Sequence, residues 1–226
     1  MSLRSPQSAL IIGSSGGIGK AMSALLRGHG VKVTELSRSR YGLDVTDAAS
    51  VEQAAKNLSD TFDLIFVATG GLVIGNDQPE KRIAALDADA MQRQFALNAV
   101  GPALCLKHFS PFLPKDRASV FVVLTAKIGS IEDNRLGGWI SYRAAKAAAN
   151  QIVKTASIEL ARTRPQAAVI ALHPGTVDTA MTKDYAKSHP AQTPKEAAEK
   201  MFDVLTSLDP KDTGHFFSYD GSVLPW

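Results

Sequence analysis

Residues Ala9 to Gly19 read ALIIGSSGGIG. A continuous apolar run meets a glycine-rich loop, and an apolar pattern of helical period follows at once, from Gly17 to Arg27. Apolar residues in unbroken succession, rather than in alternation, mark a strand covered on both faces, as in a parallel sheet. Glycines let the backbone bend tightly and approach a ligand, while the free N–H groups of a helix start attract an anion. A glycine-rich turn that holds nothing is the plain alternative. Position favours a bound phosphate, because this loop leaves the first strand and opens the first helix. The spacing of Gly13, Gly17 and Gly19 is G-x-x-x-G-x-G, not the commoner G-x-G-x-x-G.

The same alternation continues down the chain. Asp63 to Ala68 (DLIFVA), Ser119 to Leu124 (SVFVVL) and Ala167 to Leu172 (AAVIAL) are further apolar runs, each ending in a Gly, Thr or Pro signal. Val31 to Leu36 (VKVTEL) alternates more and suits another strand. Helix-like stretches lie between them: Ala48 to Leu58, Asp87 to Phe109, Trp139 to Arg162, and Pro194 to Leu208. Strand and helix patterns in turn predict βαβ units and an α/β fold, a doubly wound parallel sheet with helices on both faces. No repeat, low-complexity tract or linker interrupts the 226 residues, so 1–226 is read as one domain.

Composition narrows the function classes. The chain is 45% hydrophobic and 21% charged, which is ordinary for a soluble globular protein. Net charge is +3, from 25 basic and 22 acidic residues, and the basic ones form no stripe, so neither nucleic acid nor a membrane surface is expected as a partner. The apolar run before Gly13 is too short for a signal-peptide core, and no run approaches the ~20 apolar residues of a membrane span. The single cysteine, Cys105, fits a reducing compartment, and a cytoplasmic location is the expectation. No Cys, His or Asp cluster has metal-ligand spacing and no G-x-S-x-G elbow occurs. His173 reads as a strand-end histidine and Asp220 as a turn residue.

Residues Gly137 to Gln151 read GGWISYRAAKAAANQ, setting Tyr142 and Lys146 four residues apart. On a helix that is about one turn, so both side chains leave the same face. A solvated helix face would explain the pair if it stood alone. Beside the glycine loop it suits carbonyl chemistry: a phenol of pKa ~10 is a poor acid at neutral pH, and an ammonium one turn away would lower that value.

With the two motifs together, the sequence resembles the short-chain dehydrogenases/reductases over nearly its whole length, and the ending Tyr219-Asp220-Gly221 to Pro225-Trp226 resembles their small carbonyl reductase branch, related to C-factor-type signalling proteins. The resemblance implies a Rossmann-like sheet, and Tyr142, Lys146 and Asn98 as catalytic residues that also touch the cofactor. Lys146 would hold the nicotinamide ribose, Asn98 a water linking that lysine to solvent, and the positive nicotinamide of the oxidised cofactor would join the lysine in lowering the Tyr142 pKa. Gly13, Ser14, Ser15, Gly17, Ile18 and Gly19 are the implied cofactor loop, and Asp44 and Val45 the adenine contacts. Thr69 and Gly70, then Pro174, Gly175, Val177 and Thr179 of His173–Thr179, complete the implied cofactor set. Ala180 to Gln192, with Met181, Tyr185 and Pro190, falls where the family places its lid. Trp139 and Met181 read as packing residues that could also line a substrate pocket.

Cofactor choice is read at Glu35 to Arg40 (ELSRSR), where an acidic residue would bond a ribose hydroxyl and an arginine a 2′-phosphate. Ser37 is taken as the terminal position with Arg38 and Arg40 after it, so NADPH is expected over NAD; a register two residues off would bring Glu35 there instead. Two positions depart from the family. Val67-Ala68-Thr69-Gly70-Gly71 lacks the asparagine of the usual Asn-Ala-Gly turn, and Ala126 replaces the serine that donates to the substrate oxygen. Ser130 is the expected substitute, since the side chain of Thr125 should point to the opposite face of the strand end.

The expected function is therefore NADPH-dependent interconversion of a small carbonyl and an alcohol. The alternative is a nucleotide-sensing or signalling protein that keeps the cofactor with little catalysis. Small residues around the Tyr142 helix, Ala144, Ala145 and Ala147 to Ala149, suit close helix approach, and a homodimer or homotetramer is expected.

Overall fold

The computed structural model describes residues 5–179, 182 and 191–226. Six parallel strands form one sheet: β1 (Ser8–Ile12), β2 (Lys32–Leu36), β3 (Leu64–Val67), β4 (Ser119–Leu124), β5 (Ala167–His173) and β6 (Phe216–Ser218). Their order across the sheet is β2-β1-β3-β4-β5-β6. The chain thus winds outward from β1 in one direction to β2 and in the other to β3, which puts the switch point between β1 and β3. Open α/β sheets bind ligands there, beyond the carboxyl ends of the strands.

The strands are apolar on both sides because both sides are covered. Ala9, Ile11, Leu64, Phe66, Val120, Val122, Ile170 and Leu172 pack with α1 (Gly17–Gly28) and α7 (Pro194–Ser207). The alternate residues Leu10, Ile12, Ile65, Val67, Phe121, Val123, Val169 and Ala171 meet the other layer, built from α3 (Ala48–Lys56), α5 (Gly101–Phe109) and α6 (Ile140–Ala161). Two shorter helices, α2 (Arg38–Tyr41) and α4 (Ala88–Phe95), complete the set that positions the site. Among the described residues no helix is long and apolar enough to cross a membrane.

Two features depart from the sequence reading. β6 is only three residues long, too short to show as an apolar run, and it is held by Ala171↔Phe216 to His173↔Ser218 pairing. The stretch expected as one regular helix from Asp87 contains a π-turn, Ala96–Val100, between α4 and α5. Asp87 itself is the N-cap, its carboxylate accepting from Ala90 N at 2.8 Å.

Candidate active site

The carboxyl ends of the central strands open on a cavity of about 330 Å³. Its wall is built from five separate pieces of chain: Gly16 to Ile18, Ala68 to Gly71, Leu124 to Ala126, the pair Tyr142 and Lys146, and His173 to Gly175 continuing to Val177, Thr179 and Thr182. Gly17, Ile18, Thr69, Gly70, Tyr142, Lys146, Pro174, Gly175, Val177 and Thr179 from the sequence reading therefore face one space. Met181, Tyr185 and Pro190 lie outside the described residues.

Steric exclusion shapes the glycine loop. Gly13 has φ +89° and a Cβ there would stand 2.8 Å from the Ala68 carbonyl oxygen; at Gly19 it would stand 2.3 Å from the Gly13 oxygen. No side chain caps α1 at Gly16 and its first turn holds no acid, so the positive helix end is offered to a ligand. Ser14 is buried and its hydroxyl donates to Leu36 O at 3.3 Å, while Ser15 is exposed. Next to this loop β2 ends at Leu36, which makes Ser37 the residue beyond the strand. The Ser37 hydroxyl is buried without a partner among the described residues, and Arg38 follows it, exposed. Glu35 is held by Arg27 at 3.1 Å, and that bond keeps its carboxyl below the usual range. Asp44 accepts from Thr46 N and Oγ1 at 2.9 and 2.7 Å, bonds that lower its pKa, and Val45 packs beneath Gly101. Neither Asp44 nor Val45 lines the cavity.

Asn98 sits in the π-turn, where the wider coil re-aims a side chain. It is fully buried: Oδ1 accepts from Gly71 N at 3.1 Å, and Nδ2 donates to Gly71 O at 2.9 Å and to Gln94 Oε1 at 2.7 Å. Gln94 in turn donates to Leu72 O at 2.8 Å. The loop after β3 is thus fastened to the π-turn by side chains, and Gln94 is a residue the sequence reading missed. Gly70 leaves room where these meet: a Cβ there would stand 2.9 Å from Asn98 Oδ1 and 3.1 Å from Lys146 Nζ.

Tyr142 and Lys146 lie on one face of α6, Nζ 5.8 Å from the centre of the phenol ring. Lys146 is buried and donates to Leu124 O at 3.3 Å. Burial pushes the Tyr142 hydroxyl up to about 12 and the Lys146 ammonium down to about 8. The phenol thus lies above its ordinary value, whereas the expected lowering rested on the lysine together with the positive nicotinamide of an oxidised cofactor. Loss of water disfavours both charged forms, and here it outweighs the attraction between them.

Ser130 is not brought to this cavity. Its hydroxyl donates to Trp226 O at 3.2 Å and accepts from Asp133 N at 3.1 Å, and it borders a separate groove on the outer side of α6. Thr125 does line the cavity. Its hydroxyl, like that of Thr69, is buried without a partner among the described residues. Alternation along β4 continues past the strand, with Thr125 N bonded to Leu172 O and Ala126 extended at φ −151° and ψ 143°. Thr125 therefore follows Phe121 and Val123 onto the α6 side. Its side chain does oppose that of Ala126, as expected, and both residues border the cavity that holds Tyr142. His173 closes β5 at the cavity edge, and burial together with the charge of Lys127 pushes its imidazole down to about 4. Asp220 is a turn residue, accepting from Ser222 N and Oγ. No group of three potential metal ligands occurs among the described residues.

The family model for the short chain dehydrogenases matches residues 39–190. The chain belongs to this family. A short-chain dehydrogenase/reductase is an NAD(P)-dependent oxidoreductase. The 1-hydroxy-2-glutathionyl-2-methyl-3-butene dehydrogenase of Rhodococcus sp. (strain AD45) is 33% identical over 232 residues, covering 96% of this chain and 98% of its own. The C-signal of Myxococcus xanthus is 34% identical over 142 residues, 62% of this chain and 81% of its own. Among solved structures, the NADPH-bound carbonyl reductase from chicken fatty liver superposes with a TM-score of 0.78 at 22% identity, covering 97% of this chain and 94% of that one.

Proposed function

We propose that the protein is an NADPH-dependent reductase of small ketones or aldehydes, working in reverse on the matching alcohols. The observation that carries this reading is a neutral tyrosine and a buried lysine, one helical turn apart, in the cavity beside an uncapped helix start. The residues present fit a dinucleotide. Glycine positions that admit no Cβ make a close cradle, and the unpartnered hydroxyls of Ser37 and Thr69 wait at its edge. A reduced nicotinamide held there supplies the hydride.

The chain's own groups handle the oxygen. With its pKa at about 12, Tyr142 stays a phenol at neutral pH, the form that can donate a proton to the oxygen as the carbonyl is reduced. Lys146, charged below about 8, then stabilises the phenolate left behind and is placed to hold the nicotinamide ribose. Asn98 keeps the Gly70–Gly71 loop open beside that ammonium. Thr125 is the hydroxyl we assign to polarise the substrate oxygen in place of Ser130, because its donor is free and faces the α6 side. Three features support NADPH over NAD: Ser37 is uncharged, Arg38 follows it without an ion pair among the described residues, and Glu35 is engaged by Arg27. Cofactor binding with little catalysis remains the second reading, favoured by the alanine at position 126, and the single buried thiol of Cys105 fits a cytoplasmic setting. The groove between α5 and α6, with Ala103, Leu106, Ile152 and Ala156 along it, supports pairing of two copies through these helices.

NADPH oxidation is expected with a panel of small carbonyls, including the aldehyde of an alcohol that carries a glutathionyl group on the neighbouring carbon, the type named for the Rhodococcus relative. Tyr142→Phe should abolish it, and the rate should fall as pH rises through about 8 and Lys146 loses its proton. Tight NADPH binding without turnover on any carbonyl would leave the sensor reading. Arg38→Glu should weaken NADPH by at least about 1.5–3 kcal/mol more than NADH in titrations of both; equal weakening makes Arg38 structural. Thr125→Val should cost about 10²–10³ in kcat at unchanged NADPH affinity, with Ser130→Ala nearly silent; the reverse result returns the donor to Ser130. Light scattering at micromolar concentration should give a dimer or tetramer mass, and a clean monomer removes the pairing.

A further inference from the structure

The N-terminus of α6 starts two residues before Tyr142, and it is closed by a residue from a distant part of the chain. Glu80, between β3 and α4, is buried, and both of its carboxylate oxygens face Ser141: Ser141 Oγ donates to Oε1, and Ser141 N lies 3.4 Å from Oε2. The main-chain oxygen of Glu80 accepts from Trp139 N at 2.5 Å. No basic side chain pairs with Glu80 among the described residues, so the carboxylate is compensated by hydrogen bonds and by the positive end of the helix.

Trp139 needs such a hold. It has φ 52° and ψ 42°, the only left-handed non-glycine among the described residues. A bulky side chain is strained there and keeps that conformation only where neighbours impose it. Its ring stands 6.5 Å from the ring of Tyr142 at 68°, an edge-on contact. From the other side Arg143 donates to Gly138 O and Ile128 O.

The segment that delivers Glu80 is pinned at its far end too. Asn98 bonds both the N–H and the carbonyl of Gly71, and Gln94 takes the carbonyl of Leu72. Residues 71–80 therefore run as a strap from the lysine side of the cavity to the tyrosine side, with a side-chain anchor at each end.

We infer that Glu80 is a positioning residue for Tyr142: its carboxylate, as the acceptor for Ser141 in the first turn of α6, and its main-chain oxygen, which holds Trp139, together set the start of the helix and so where the phenol sits. This rests on the reductase reading for its catalytic consequence but not for its geometry. A displaced general acid loses rate steeply, since a shift of about 1 Å can cost about 10²-fold. A purely structural cap would instead lower stability and cofactor binding together.

The test uses Glu80→Gln, which keeps an acceptor, beside Glu80→Ala, which keeps none. In a Trp226→Phe background, where Trp139 is the only tryptophan, its emission reports the contact with Tyr142 directly. Glu80→Ala should move that emission to longer wavelength and expose it to acrylamide quenching, while Glu80→Gln stays as the parent. On a carbonyl that the wild type reduces, Glu80→Ala should lower kcat about 10- to 100-fold with the NADPH dissociation constant within about threefold of the parent. Glu80→Gln should restore most of the rate. Parental emission in Glu80→Ala overturns the inference, as does a kcat loss matched by equal losses of NADPH affinity and thermal stability. Glu80→Gln as damaged as Glu80→Ala also overturns it, because the charge and not the acceptor would then be acting. A wild type that reduces no carbonyl removes the reductase reading alone, and the emission of Trp139 still decides the placement of Tyr142.

Discussion

Two backbone contacts that admit no side chain govern this molecule. A Cβ on Gly13 would meet the carbonyl of Ala68 at the end of β3, and one on Gly19 would meet the carbonyl of Gly13. Because neither exists, β1 can turn sharply into α1 while the loop lies flat against the neighbouring strand. α1 then aims its uncapped start at the gap between β1 and β3, where the winding reverses. Strand order supplies the crevice, the glycines keep it open, and the helix end makes it attractive to an anion.

Within that crevice, loss of water sets the chemistry. Tyr142 and Lys146 are each pushed toward the neutral form, the phenol upward and the ammonium downward, although they share a helix face. Such a pair is poised rather than committed. An incoming ligand that carries negative charge would favour the ammonium again, and a developing charge on a substrate oxygen would be felt strongly in so little water. His173, held neutral at the cavity rim, adds a polar group without adding a charge there.

The sequence made legible whatever was encoded locally. The strand runs show because both faces of the sheet are buried, so apolar residues are continuous. The glycine loop and the Tyr142–Lys146 pair show because each is a pattern of spacing within a few residues. Ser37 beyond β2 was readable for the same reason. What was hidden depends on partners far along the chain. Glu80 reads as one acid among Gln78, Pro79 and Lys81, and nothing nearby reveals that it faces Ser141, 61 residues on. Gln94 and the π-turn escape in the same way, since periodicity hardly registers one widened turn. Ser130 was chosen as a donor by proximity in sequence, yet the carbonyl of Trp226, 96 residues away, already holds its hydroxyl. The alternation of Thr125 and Ala126 was read correctly, but that Thr125 borders the cavity depends on how distant segments meet.

The cavity wall draws on segments as far apart as Gly16 and Thr182, none of which is a unit that could stand alone. No fragment of this chain can therefore carry a weak version of the site, because the last wall segment arrives only when β5 joins the sheet. Ligand and fold become a single equilibrium. A molecule that fills the cavity at 100 times its dissociation constant adds about 2.7 kcal/mol to the stability of the whole sheet. In a cell, the concentration of that small molecule would set how long the protein survives proteolysis as well as how fast it works.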